Sequence, residues 1–134
     1  MILKVEPLRV GETVPAPLDK YHCSVVAEWV DYNNHMTEAA YLTAFGWASD
    51  VLFQYIGIND DYRSAGNSYY TVETHIVYER EAALDEELRI TTQVLDFDAK
   101  FSLVNFPNSP ILHLIEATKP NHKFSQNLLP LDIY

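Results

Sequence analysis

Four polar side chains lie within five residues of one another in the sequence: Asp31, Asn33, Asn34 and His35. A carboxylate can act as a general base or attack an electrophilic carbon directly, and an imidazole exchanges protons near neutral pH. Asp and Asn are also ordinary turn and capping residues before a helix, so the spacing by itself leaves both interpretations open. Residues 31–35 are called the polar turn below.

The segment that follows the polar turn is predicted to be one long helix. Thr37 can cap it, Glu38 favours the positive end of its dipole, and Gly57 is expected to end it. Its apolar residues recur at spacings of three and four: Tyr41, Phe45, Ala48, Leu52 and Tyr55. Other faces are apolar too, so we expect other structure to surround the helix. The free N–H groups of its first turn could hold a developing oxyanion close to Asp31.

Strands account for the rest of the predicted core. Residues 21–30 are rich in β-branched and aromatic side chains, which favours a strand before the polar turn. Two alternating segments, 68–80 and 86–97, are joined through the short sequence EAALDE at 81–86, which suits a hairpin. Apolar runs at 101–106 and 111–118 are expected to be two further strands, because prolines interrupt the pattern around them.

This order of elements predicts a single α+β domain over residues 1–134, with an irregular tail at 119–134. The formal net charge of −10 argues against nucleic acid as a partner and disfavours anionic membranes. A single cysteine, a charged N-terminal sequence without a leader pattern and the lack of a long apolar run indicate a soluble cytoplasmic protein.

The sequence gives no support for a metal ion or an organic cofactor. The five histidines lack ligand spacing, and one cysteine cannot build a zinc site. The four glycines form no phosphate-binding loop, and no serine lies in a nucleophile elbow. A reaction at the polar turn would therefore depend on the chain's own side chains.

The stretch VDYNNHMTEAAYL resembles the hotdog-fold acyl-CoA thioesterases of the 4-hydroxybenzoyl-CoA thioesterase type. The signature of that family is an Asp, three residues, a His, and then a helix that begins with small and polar residues and an aromatic one. Asp31, His35 and Tyr41 match it, and residues 68–94 resemble the family's next two strands. Residues 25–100 more closely resemble the thioesterase-like domain that is fused to carnitine dehydrogenases and associated with betainyl-CoA hydrolysis.

The resemblance implies a hotdog fold, in which a curved antiparallel sheet wraps one long central helix. It implies a homodimer or homotetramer that hydrolyses a small acyl-CoA, with betainyl-CoA as the candidate substrate. By the same resemblance, Asp31 is the base or the nucleophile, and His35 orients Asp31 or the substrate. Asn33 or Asn34 would position water. Coenzyme A is then the carrier in the substrate and not a cofactor.

Aromatic side chains near the polar turn are candidates for contact with the acyl group: Trp29, Tyr32, Trp47, Tyr69 and Tyr70. Aromatic faces with acidic surroundings bind quaternary ammonium groups, although plain core packing is the simpler interpretation, above all for Trp47 within the helix. Glu73 either faces solvent or lines a cleft shared with a partner subunit. The candidates for contact with the CoA phosphates are Arg63, Arg80, Arg89 and Lys100.

The sequence also departs from the family. Asn34 stands where the family usually has Gly, and Thr37 and Glu38 stand where many members have two Asn residues. After Lys100 the likeness stops, which a divergent ending and a shifted reading frame would both explain. Two other functions stay open. One is an acyl-CoA hydratase or dehydratase, whose motif typically has one more residue between Asp and His and contains Pro. The other is a non-catalytic acyl-CoA-binding or dimerisation module.

Overall fold

The computed structural model describes residues 4–76, 78, 80–97, 101–106 and 111–118, and the fold is α+β. Its helices and strands, in chain order, are β1 (Leu18–Ser24), α1 (Glu38–Tyr55), α2 (Asp60–Ser64), β2 (Ser68–Ile76), β3 (Glu87–Phe97), β4 (Phe101–Phe106) and β5 (Ile111–Thr118). The five described strands form one antiparallel sheet in the order β1-β3-β4-β5-β2. The predicted strands at 101–106 and 111–118 are confirmed, whereas the tail at 119–134 lies outside the described residues.

Helix α1 has the predicted limits. The Thr37 side chain accepts a hydrogen bond from the Ala40 N–H, and Gly57 follows the helix with a φ of +91°, a conformation that favours glycine. Its inner face packs against β1 and β3. The buried residues of that face are Ala40, Ala44, Phe45, Ala48, Val51 and Leu52. They share the core with Leu18, Tyr21, Val25 and Ile90.

Two expectations about α1 and its surroundings are wrong in part. Leu42 is 44% exposed and Ile56 is 38% exposed, so the described residues do not surround the helix on every side. The loop predicted after the helix contains α2, because the Asn59 side chain accepts hydrogen bonds from the N–H groups of Asp61 and Tyr62 and so caps a short helix.

The strand predicted at 21–30 is also shifted. β1 begins earlier, at Leu18, and ends at Ser24. The backbone of Val25 instead exchanges hydrogen bonds with Asp85 and Glu86, after which a 3-10 turn occupies Ala27–Trp29.

The predicted hairpin between the two long alternating segments is wrong. β2 lies at one edge of the described sheet and pairs with β5, whereas β3 lies between β1 and β4. Residues 80–86, called the β2–β3 link below, turn back on themselves: Asp85 has a φ of +66° and the Glu86 N–H bonds to the Ala83 carbonyl. The link packs against the polar turn instead of joining two neighbouring strands. Among the described residues, no helix is both long and apolar enough to cross a membrane.

Candidate active site

The polar turn is closed by its own backbone. Val30 and Met36 form a β-bridge, the Asp31 N–H donates to the His35 carbonyl at 3.1 Å, and the Asn34 N–H donates to the Asp31 carbonyl at 2.9 Å. The Thr37 N–H then donates to the Trp29 carbonyl at 2.8 Å. These bonds bring the two ends of the turn together. Asp31 and His35 therefore lie on the two sides of a closed loop, and α1 follows this loop in the chain.

The backbone conformation at position 34 favours asparagine or glycine. The φ of Asn34 is +62°, in the left-handed region that asparagine tolerates better than most residues other than glycine. The same requirement explains why a glycine would fit here. The departure from the family pattern at Asn34 therefore preserves the conformation that the turn needs.

The side chain of Asp31 is exposed, and Asp31 precedes α1 in the chain. Its Oδ1 atom accepts a hydrogen bond from the Asn33 N–H at 2.8 Å. In the part of the chain that the structure describes, no acceptor reaches the N–H groups of Glu38 and Ala39 in the first turn of α1. A helix start with free donors carries a partial positive charge, which can stabilise an oxyanion.

His35 contacts the β2–β3 link through both its backbone and its side chain. Its Nε2 atom lies 3.2 Å from Oε2 of Glu81, and His35 forms a β-bridge with Ala83. The next residue, Met36, donates its N–H to the Ala82 carbonyl at 2.7 Å. Glu81 carries no local sequence signal of a functional role, because its contact with His35 joins residues far apart in the chain.

Tyr41 fixes the same link from the side of the helix. Its hydroxyl accepts a hydrogen bond from the Ala82 N–H at 2.9 Å and lies 3.4 Å from the Arg80 carbonyl, to which it can donate. The ring of Tyr78 meets the ring of Tyr41 edge to face at 5.3 Å, and the Tyr78 hydroxyl donates to the Glu38 carbonyl at 3.3 Å. Helix α1, the link and the polar turn are therefore joined at one end of the molecule.

The aromatic candidates separate into three groups. Trp29 and Trp47 contact each other, with ring centroids 5.4 Å apart and an angle of 46° between the rings. Tyr32 is 96% exposed and joins neither of them. Tyr69, Tyr70 and Glu73 lie on β2, opposite Ala117, Glu116 and Leu114 of β5, and their side chains are outside the described part of the chain.

The basic candidates for the CoA phosphates are engaged elsewhere. Arg63 pairs with Asp60, Arg80 pairs with Glu86, and Arg89 pairs with Asp19, while Lys100 lies outside the described residues. Hydrogen bonds from Arg89 and His22 lower the pKa of Asp19 to about 2, so this carboxylate is ionised at neutral pH. The three arginines would have to leave a carboxylate partner before they could bind phosphate.

Comparisons with known proteins agree with the fold. Residues 25–107 match the Thioesterase-like superfamily. An L-carnitine dehydrogenase/betainyl-CoA thioesterase from Rhizobium meliloti is 51% identical over 84 residues, which are 63% of this chain and 17% of that protein. A betainyl-CoA thioesterase from Pseudomonas aeruginosa is 38% identical over 84 residues, which are 62% of this chain and 53% of that protein.

A solved structure supports the same grouping. The crystal structure of a candidate thioesterase from Pseudomonas putida KT2440 is 33% identical and superimposes with a TM-score of 0.65, covering 82% of this chain and 79% of that one. The predicted hotdog-type α+β fold is thereby confirmed. The chain spans only about half or less of the length of the two curated relatives above. The match over residues 25–107, together with the fold and the polar turn, shows that this chain belongs to the Thioesterase-like superfamily.

Proposed function

We propose that this protein hydrolyses an acyl-CoA thioester and that betainyl-CoA is its substrate. The observation that carries the proposal is the exposed carboxylate of Asp31 in a closed turn that leads directly into the free N–H groups of α1. The names of the curated relatives support the acyl group and a place in carnitine metabolism. The single cysteine supports a reducing, cytoplasmic setting.

In this proposal Asp31 activates the attack on the thioester carbonyl. As a general base it takes a proton from water while the water oxygen bonds to the carbonyl carbon. The carbonyl oxygen becomes an oxyanion and is stabilised by the first N–H groups of α1. The intermediate then collapses, the carbon–sulfur bond breaks, and the CoA thiolate receives the proton that Asp31 had taken. Direct attack by Asp31, followed by hydrolysis of the resulting anhydride, uses the same groups.

The neighbouring side chains have supporting roles in the proposal. His35 orients the water or the substrate, and Asn33 or Asn34 positions water. Trp29 and Trp47 contact each other and pack against the hydrophobic core, which suits the core interpretation of Trp47. In the proposal the partly exposed ring of Trp29 attracts the trimethylammonium group. Tyr32, Tyr69, Tyr70 and Glu73 belong to the proposed substrate surface as well, where a partner subunit in a homodimer or homotetramer would complete it.

A panel assay tests the proposed function. Release of free thiol is measured with betainyl-CoA and with uncharged acyl-CoAs of similar size, and hydration of an enoyl-CoA and calorimetric binding are measured in parallel. We expect thiol release, fastest with betainyl-CoA. Hydration without thiol release would assign a hydratase instead, and binding without turnover would assign a non-catalytic module.

A further inference from the structure

We propose that Glu81 is the positioning residue of His35: its carboxylate holds Nε2 of the imidazole and thereby presents Nδ1 to the reacting water. This inference rests on the proposed hydrolysis at the polar turn. It assigns a role to a residue of the β2–β3 link, which is 46 positions further along the chain.

The contact between the two side chains is fixed by the backbone on both sides. Glu81 Oε2 lies 3.2 Å from His35 Nε2. The residue after Glu81, Ala82, accepts the Met36 N–H at 2.7 Å, and Ala83 forms a β-bridge with His35 itself. The two short segments therefore run antiparallel with a defined register, in which Glu81 is a diagonal neighbour of His35 on the same face of the pair.

Helix α1 keeps the link in that register. The Tyr41 hydroxyl accepts the Ala82 N–H at 2.9 Å and lies 3.4 Å from the Arg80 carbonyl, so the residues on both sides of Glu81 are held by one side chain. Ala82 is buried, with 4% of its surface exposed. The anchored backbone on both sides fixes where the Glu81 side chain begins, and its carboxylate lies 3.2 Å from the imidazole.

The role of the His35 imidazole depends on which of its two ring nitrogens carries the proton. A neutral imidazole has one N–H donor and one acceptor, and a carboxylate on one nitrogen favours the proton at that position. In the proposal Nε2 carries the proton and directs it at Glu81, 3.2 Å away, which leaves the Nδ1 lone pair available. Among the described residues, no hydrogen bond is made to Nδ1. Nδ1 can then accept a hydrogen bond from the attacking water while Asp31 takes the other proton of that water.

The ion pair between Glu81 and His35 is expected to contribute little to the stability of the fold. The His35 side chain is 43% exposed and the Glu81 side chain is 75% exposed. Exposed ion pairs contribute little to the free energy of unfolding because water and salt screen them and both side chains lose rotamer freedom. Removal of Glu81 is therefore expected to change turnover far more than it changes folding, which makes the proposal accessible to mutation.

The kinetic test uses the intact chain and four variants: Glu81→Ala, Glu81→Gln, His35→Ala and the double variant of His35→Ala with Glu81→Ala. We expect Glu81→Ala to lower kcat about tenfold, the lower end of what removal of an orienting partner costs, with little change in KM. Glu81→Gln keeps an acceptor for Nε2–H and should lose less. The double variant should match His35→Ala alone, since Glu81 acts only through His35.

A matched control comes from the start of the chain. Glu6→Gln removes an exposed carboxylate outside the polar turn and the β2–β3 link, and it should leave kcat unchanged. Full turnover in Glu81→Ala would overturn the proposal, and so would a loss in the double variant equal to the product of the two single losses.

A spectroscopic test separates this inference from the proposed function. If the wild-type chain releases no thiol from any thioester, the hydrolysis proposal fails, and the Glu81–His35 pair is then judged by the 15N chemical shifts of the His35 ring at neutral pH. We expect shifts typical of one Nε2–H form in the wild type and averaged shifts in Glu81→Ala. Identical shifts in the two proteins would show that Glu81 does not fix the imidazole.

Discussion

The hydroxyl of Tyr41 accepts a hydrogen bond from the backbone N–H of Ala82 at 2.9 Å, although 41 positions separate the two residues in the sequence. Tyr41 lies on the first turns of α1, and Ala82 lies in the β2–β3 link. The carbonyl of Ala82 in turn accepts the Met36 N–H at the end of the polar turn. One tyrosine thus connects the helix to the loop that carries Asp31 and His35 through a single intervening residue.

Tyr41→Phe should weaken this connection without removing the ring. The variant leaves the N–H of the buried Ala82 without its acceptor, which should cost about 1–3 kcal/mol of unfolding free energy. It should also lower turnover, because the link would no longer hold the polar turn in one position. Urea unfolding and thiol release measure the two effects. Tyr78→Phe is the comparison: its hydroxyl makes a longer bond, 3.3 Å to the Glu38 carbonyl, and a loss as large as that of Tyr41→Phe would contradict the prediction.

The sequence predicted α1 and the polar turn well because their signals are local. The Thr37 cap, the apolar spacing from Tyr41 to Tyr55 and the glycine after the helix are all set by neighbouring residues. The strands at 101–106 and 111–118 were found for the same reason, since prolines mark their limits.

The link between β2 and β3 could not be predicted in this way. The length of the link suits a hairpin, but strand pairing is set by contacts between segments that are far apart in the sequence. β2 pairs with β5 instead of β3. The role of Glu81 was hidden for the same reason, because its contact with His35 exists only once the link packs on the polar turn. Tyr41 was recognised from the family motif, but its hydrogen bonds depend on that same packing.

Substitutions of Asn34 test whether this residue acts through its backbone conformation or through its side-chain amide. The φ of +62° at this position suits glycine and penalises alanine, so Asn34→Gly should fold with nearly unchanged stability and Asn34→Ala should lose about 1 kcal/mol. If Asn34 acts only through the backbone, Asn34→Gly should also keep its turnover. A large loss of turnover in a well-folded Asn34→Gly variant would instead assign the amide to water or substrate.

Asp50 should make the stability of the protein depend on pH. Burial in the middle of α1 raises the pKa of this carboxyl above its ordinary value, while Arg63 partly opposes the shift. The folded state therefore holds the proton more tightly than the unfolded state, so this contribution to stability is present at low pH and is lost as the pH rises through the folded pKa. Asp50→Asn should accordingly be more stable than the wild type at pH 7, and the difference should vanish below about pH 4.

Denaturant unfolding from pH 3 to pH 7 measures this difference directly. Glu6→Gln is a suitable control, because it removes one negative charge from an exposed carboxylate that precedes β1. An Asp50→Asn variant that is less stable than the wild type at pH 7 would show that the Asp50 carboxylate has a favourable partner.

The protein is expected to form a homodimer or a higher multiple. In the described sheet, β1 and β2 are edge strands, and Leu42 and Ile56 leave apolar surface on α1 exposed. An exposed strand edge can pair with a second copy of the chain, and adjoining apolar surface would be buried in such a pairing. Light scattering at micromolar concentration should give at least twice the chain mass of 15.4 kDa. A monomer would remove the shared substrate surface that includes Tyr69, Tyr70 and Glu73.

The catalytic assignment depends most directly on Asp31→Asn. Asparagine keeps the Oδ1 acceptor that bonds the Asn33 N–H at 2.8 Å, so the polar turn should retain its shape while the charge is lost. Because Asp31 is exposed, the substitution should hardly change the unfolding free energy. Turnover should fall at least about a hundredfold, the usual scale for general acid–base catalysis, while KM changes little because the lost interaction belongs to the transition state.

His35→Ala separates the two roles open to the imidazole when it is measured beside Asp31→Asn. If His35 only orients the water, its removal should cost less turnover than removal of the Asp31 charge, and if it shares the proton transfer the two losses should be similar. A folded Asp31→Asn variant with nearly full thiol release would refute the assignment of Asp31. The reacting carboxylate would then have to be sought on β2, where Glu73 is the acidic residue paired in register with Leu114 of β5.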